Sequence, residues 1–98
     1  MRVLVVYAHP VETSFAAALH RTVVDTLTAG GHEVDDCDLY AENFQAVLTR
    51  EERLNYHEVT SNRSHVDPYV ERLLKAEAFI IVCPIWTFGL PAILKGYF

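Results

Sequence analysis

Arg2-Val3-Leu4-Val5-Val6-Tyr7, followed at once by Ala8-His9-Pro10, decides how the rest of the chain is read. The run is apolar and rich in β-branched residues, and it does not alternate with polar ones. That is the pattern of a strand covered on both faces, as inside a parallel sheet. The His9-Pro10 pair ends it, because proline cannot donate to a central ladder. The period then changes. From Ser14 to Ala29 the residues Phe15, Leu19, Val23 and Leu27 recur every fourth position with Ala18 and Thr22 beside them, which predicts a helix with those residues on its core face. Thr13 or Ser14 can cap its start, and Gly30-Gly31 supplies a left-handed stop. Strand, loop and helix make the first half of a βαβ unit, so the chain is α/β.

Working outward, His32 to Leu39 places Val34, Cys37 and Leu39 among Glu33, Asp35, Asp36 and Asp38, a composition suited to a strand at the sheet edge. Tyr40 to Val66 is irregular, with a capping box at Thr49-Arg50-Glu51-Glu52 and loop chemistry at Ser61-Asn62-Arg63-Ser64. Asp67 as N-cap and Pro68 at the first helical position open a further helix. Val70, Leu73 and Leu74 form its apolar stripe, and Glu71 and Lys75 are spaced to pair. Ala78 to Cys83 reads as a third, buried strand, and Leu90-Pro91 opens a last helix. Helical crossovers make the strands parallel, and ligands of such sheets bind above the carboxyl ends of neighbouring strands where the winding reverses.

Composition narrows the functional class. A chain of 98 residues with 51% hydrophobic and 21% charged residues is an ordinary folded domain, and nothing calls for a second one. A net charge of −5 without any Lys/Arg cluster argues against nucleic acid or an anionic membrane surface as partner. The apolar run at the start is too short for a signal peptide or a membrane span, so no membrane insertion and a cytoplasmic location are expected. Cys37 and Cys83 lack C-x-x-C spacing and are expected as buried free thiols. His20, His32, His57 and His65 show no metal-ligand spacing; no metal site is expected, and solvated side chains are.

The unusual residues lie in two loops that should meet above the first and third strands. The first, Ala8 to Phe15, runs into a helix N-terminus, where unpaired N–H groups and the hydroxyls of Thr13 and Ser14 outline a phosphate site. Ser14 acting only as a cap, with His9 filling space, accounts for the same residues. The second loop, Pro84 to Leu90, carries Trp86 and Phe88, which suit a flat aromatic ligand, and Gly89, which permits close backbone approach. Core or dimer-contact roles for Trp86 and Phe88 fit equally. Glu12 would turn to solvent. No G-x-G-x-x-G follows the first strand and no G-x-x-x-x-G-K-[ST] occurs, so dinucleotide-binding Rossmann modules and P-loop NTPases are disfavoured.

Taken together, Tyr7-Ala8-His9-Pro10 with Ser14-Phe15, the segment Asp38 to Phe44, and Pro84 to Phe98 resemble the NAD(P)H:quinone oxidoreductase branch of the flavodoxin-like fold. The resemblance implies a three-layer parallel sheet of order 2-1-3, with residues 1–98 forming the N-terminal half of one flavin-binding domain and ending before strands 4 and 5. The third strand would then be an open hydrophobic edge, and little turnover is expected of this length alone. By the same resemblance His9, Thr13, Ser14, Phe15 and Ala16 line the phosphate end of a flavin, while Pro84, Ile85, Trp86, Thr87 and Phe88, with Gly89 beyond them, edge its ring. Many members carry tryptophan where this chain has Thr87. The implied cofactor is FAD, with FMN the alternative and NAD(P)H the co-substrate. The implied reaction is two-electron reduction of a quinone by a homodimer, with no side chain acting as general acid or base. Two rivals are a non-catalytic flavin-binding regulator, like the ancillary subunits of potassium-efflux systems, and a one-electron carrier like flavodoxin.

Overall fold

In the computed structural model, which describes residues 1–98, Arg2–Tyr7 forms β1, the middle strand of a three-stranded parallel sheet. β2 (Glu33–Asp38) pairs on one side with Val6 opposite Cys37, and β3 (Ala78–Val82) on the other with Val6 opposite Ile81. The order is β2-β1-β3. Val3, Leu4, Val5, Val6 and Tyr7 are all buried, because both faces of the strand are covered. Val3, Val5 and Tyr7 face α1 (Phe15–Ala29), meeting Ala16, Ala17, Val23, Val24 and Leu27. Leu4, Val6 and Ala8 face α3 (Asp67–Lys75) and α4 (Ala92–Tyr97), meeting Tyr69, Ala76, Ile93 and Leu94. Each buried aliphatic side chain contributes about 1.5–3 kcal/mol.

Helix α1 lies where its period predicts but is turned about its axis relative to the expected face. Phe15 is 80% exposed and Leu19, Ala18 and Thr22 also face solvent, while Ala16 and Ala17 are buried against the sheet. The two alanines let the helix approach β1 closely, and that contact outweighs the larger but looser stripe beginning at Phe15. Ser14 is the cap, its Oγ accepting from Ala17 N–H at 3.0 Å. Gly30 is the C-cap and Gly31, at φ +82°, is the left-handed residue beyond it.

Between β2 and α3 the only regular element is α2 (Arg50–Leu54), opened by the expected capping box. Glu52 N–H donates to Thr49 Oγ1 and Thr49 N–H to Glu52 Oε1, both at 3.1 Å. Helix α3 departs from expectation in three ways. Val66 is its N-cap without a side-chain bond, and Asp67 is already helical, its carboxylate taken by Arg63 Nε at 2.6 Å. No Glu71–Lys75 pair forms, because Arg63 Nη2 reaches Glu71 at 3.0 Å. Leu73 and Leu74 are exposed, as nothing packs over them. β3 stops at Val82 rather than Cys83, and Phe79 and Ile81 are open to solvent along its face. No helix is long and apolar enough to cross a membrane.

The polar edge strand is tied to the second layer by Arg72. Its Nε lies 3.1 Å from both Asp35 carboxylate oxygens and its Nη2 2.9 Å from Oδ1, while Nη1 meets Glu42 Oε1 at 2.6 Å. Burial by itself would favour the neutral guanidine, but the hydrogen bonds it donates to Asp35 and Glu42 outweigh that and hold the cation more firmly than usual. Both cysteines are free as expected, Cys37 buried and Cys83 half-buried.

Two predictions come from this packing. Gly96 on α4 faces Ala46 so closely that a Cβ would overlap Ala46 Cβ and O and lie 2.7 Å from its Cα. Gly96→Ala should therefore destabilise the fold by about 1–3 kcal/mol, read as a lower urea midpoint; an unchanged midpoint would show that the Ala46 segment does not pack there. Burial pushes the Cys37 thiol from its ordinary 9.0 up to about 12. Above pH 9 the unfolded chain ionises this thiol and the folded one does not, so stability contributed by Cys37 is present below pH 9 and lost as pH rises toward 12. Cys37→Ala should flatten the loss between pH 9 and 10, below the onset of the tyrosines Tyr7, Tyr69 and Tyr97, which burial also raises.

Candidate functional site

The two loops meet where β1 and β3 end. Ala8 N–H donates to Val82 O at 3.1 Å, carrying the parallel ladder one step beyond the strands and delivering both chains to the same place. From there His9 turns toward Trp86, the rings edge to face with centroids 5.4 Å apart. His9 Nδ1 accepts from Val11 N–H at 3.0 Å, so Nδ1 is the unprotonated nitrogen of the neutral ring. Nε2 then carries the proton and is a donor free for a ligand.

At the start of α1 the backbone N–H groups of Thr13, Phe15 and Ala16 find no acceptor within the chain, while Ser14 N–H bonds Val11 O at 3.2 Å. Ser14 Oγ accepts from Ala17 N–H, and its hydroxyl also neighbours the Tyr7 phenol. No acidic side chain lies in the first turn, so the positive end of the helix is uncompensated. Ser14 thus caps a helix whose start leaves backbone N–H donors without an acceptor. Thr13 and Glu12 are exposed beside it, Phe15 projects outward and Ala16 is buried beneath.

The second loop is built as a tight turn. Trp86 N–H donates to Gly89 O at 2.9 Å and Gly89 N–H to Trp86 O at 3.1 Å, and the two central residues, Thr87 and Phe88, sit at φ +51° and +62°. Both are left-handed, and for β-branched Thr87 that conformation costs about 1–3 kcal/mol. The turn displays a fully exposed Phe88, with Ile85 and Trp86 exposed beside it and Pro84 half-buried at its base. Core packing, one of the readings open from sequence, is therefore ruled out for Phe88. The φ of Gly89 is not left-handed, and within the chain a Cβ there would meet only the end of the Lys95 side chain.

Sequence reasoning missed a cluster beside the first loop. His20 is not solvated: its ring stacks on Tyr7 with centroids 4.0 Å apart and planes 4° apart, and Nε2 lies 2.7 Å from Asp36 Oδ1. His32 is likewise half-buried, its Nδ1 lacking a partner. Burial raises the Tyr7 phenol, with Ser14 pulling the other way. This pillar joins β1, α1 and β2, and it borders a groove of about 590 Å³ that reaches His9 but not the aromatic turn. Nothing local announces it, since Tyr7, His20 and Asp36 come from three separate elements.

The His9 geometry can be tested directly. The imidazole nitrogens in two-bond ¹H–¹⁵N spectra should report the Nε2–H tautomer at alkaline pH, with Val11 N–H bonded to Nδ1. An Nδ1–H tautomer would show that His9 faces the other way.

Rat NAD(P)H dehydrogenase [quinone] 1 is 34% identical over 113 residues, covering 99% of this chain and 41% of the relative. Human ribosyldihydronicotinamide dehydrogenase [quinone] is 33% identical over 112 residues, covering 98% and 48%. The structure of an NAD(P)H:quinone oxidoreductase from Methanothermobacter marburgensis superposes with a TM-score of 0.84 at 31% identity, covering 99% of this chain and 51% of that one. The chain thus spans about half the length of the curated relatives it matches. A family profile described as the flavodoxin-like fold matches residues 1–98; with its parallel sheet in the order β2-β1-β3 and its two loops converging at the switch point, the chain belongs to that family.

Proposed function

We propose that this chain carries the phosphate-binding and ring-binding loops of a flavin-dependent NAD(P)H:quinone oxidoreductase. The observation that supports this most is the pairing of an uncompensated helix start with an exposed aromatic turn across the His9–Trp86 contact. An anion and a flat ring joined in one molecule are what these two surfaces suit. The names of the relatives agree, and they concern proteins about twice as long.

The residues present fit such a group. The free N–H groups of Thr13, Phe15 and Ala16, the Ser14 hydroxyl and His9 Nε2–H would hold a phosphate, all as donors. Trp86, Thr87 and Phe88 with Pro84 and Ile85 would border the ring, and the doubly bonded turn keeps their backbone in place without reorganisation. A flavin held there would supply the redox chemistry by which NAD(P)H, a proton and a quinone would become NAD(P)⁺ and hydroquinone. The chain's own part is to bind, orient and exclude water. Tyr7, the one buried phenol beside the first loop, is raised by burial and stays neutral, which suits a structural role rather than proton transfer. FAD as the flavin and a homodimer, both implied by the family resemblance, complete this reading, with a cytoplasmic location proposed alongside them.

The test is turnover by the full-length protein after flavin loading and gel filtration. The retained cofactor, identified by mass as FAD or FMN, should lose its visible absorbance on mixing with NADPH and regain it on adding menadione. Retention of flavin without reduction by NADPH would instead favour a binding regulator or a one-electron carrier. Failure to retain flavin would overturn the proposal.

A further inference from the structure

Tyr7 is the last residue of β1, only 4% exposed, and its ring is held from two directions. It packs among Ala16 and Ala17 of α1 and lies parallel to the His20 imidazole at a centroid distance of 4.0 Å. His20 is itself fixed, its Nε2 lying 2.7 Å from Asp36 Oδ1, so the phenol at the far end of the Tyr7 ring has little freedom to move. Of the polar groups around that phenol, Ser14 acts on it through a hydrogen bond, whereas Asp38, Arg21 and Asp36 act through charge alone. Ser14 is the cap of α1, and one lone pair of its Oγ is taken by Ala17 N–H. Two neighbouring hydroxyls can bond in either order. A phenol is the stronger acid and its oxygen shares electron density with the ring, which makes it the better donor and the poorer acceptor of the two. The favoured order is therefore Tyr7 O–H to Ser14 Oγ, which fills the second lone pair of Ser14 and leaves the serine proton without a partner inside the chain.

We propose that Tyr7 is a positioning residue for the start of α1: by donating to Ser14 Oγ it turns the Ser14 hydroxyl outward as a donor to a phosphate monoester. The inference rests on the reading of that helix start as the place that holds the phosphate of a flavin. It adds a residue that acts on the phosphate without touching it. Accepting two hydrogen bonds also polarises the Ser14 O–H, because linked hydrogen bonds strengthen one another. Burial keeps the Tyr7 phenol protonated, so the donor is present at neutral pH. The stack on His20 and the His20–Asp36 bond hold the ring before any ligand arrives.

The test is a double-mutant cycle read as the ratio of FMN to riboflavin affinity, titrated by flavin fluorescence with the full-length protein freed of bound flavin. The two ligands share the ring and differ in the phosphate, so a general loosening of the fold moves both affinities and leaves the ratio alone. The wild type should prefer FMN. Tyr7→Phe, which keeps the ring and its stack, should lower the ratio by about two- to ten-fold, the loss of about one hydrogen bond. In a Ser14→Ala background the same change should leave the ratio where Ser14→Ala put it, since Tyr7 acts only through Ser14. Ser14→Gly, which costs less as a helix cap, serves as a second background with the same expected result. A ratio unchanged by Tyr7→Phe would overturn the role of Tyr7 while leaving the phosphate site standing. So would a further loss in both Ser14 backgrounds, which would put Tyr7 on the phosphate itself. Equal binding of FMN and riboflavin by the wild type, or binding of neither, would overturn the phosphate site and this inference together.

Discussion

β1 is hydrogen-bonded to a parallel strand on each side and covered by helices on both faces, and the rest of the structure depends on that double enclosure. Its unbroken apolar run cannot tolerate a wet face, so α1 must lie on one side and α3 and α4 on the other. Right-handed crossovers then leave β2 and β3 as its neighbours with all carboxyl ends pointing the same way. The convergence of the two loops follows from this arrangement. A charged residue at Val5 would disturb the α1 layer and one at Val6 the α3 and α4 layer, and with either the place where His9 and Trp86 come together.

The flanking strands are secured by different means. β2 is too acidic to be enclosed as β1 is, and it is tolerated because Arg72 gathers Asp35 and Glu42 while His20 takes Asp36. These pairs cross between layers, so they also orient α1 and α3 relative to the sheet. β3 is apolar where β2 is polar, and its Phe79 and Ile81 remain exposed. The same contrast separates the loops above them: the end of β2 leads into a polar groove, whereas the end of β3 leads into an aromatic turn.

Features whose cause is local were legible in the sequence. The strand Arg2–Tyr7, the Ser14 cap, the Thr49–Glu52 capping box and the Gly31 stop each need only a few neighbouring residues. Features decided by competition between distant groups were not. The face of α1 was set by how closely Ala16 and Ala17 can approach the sheet, which the size of Phe15 and Leu19 conceals. Glu71 and Asp67 had plausible local roles, and Arg63 took both carboxylates. The left-handed pair Thr87-Phe88 carries no sequence signal, since a turn of that hand ordinarily places glycine or asparagine in the centre and here Gly89 follows it. Both loops were identified in advance, but not the strain in one or the stacked histidine beside the other.

An exposed phenylalanine on a strained turn and a helix start without a compensating acid are each costly alone. Their placement on either side of one contact is what the proposed ligand, anionic at one end and flat at the other, would account for. Amide and indole shifts during titration of ¹⁵N-labelled protein with FMN test this most directly. The account predicts that FMN moves the Phe15 and Ala16 amides and the Trp86 indole together, and that riboflavin, lacking the phosphate, moves the indole far more than the two amides. Shifts from FMN that leave either group still, or that cluster elsewhere on the chain, would contradict it.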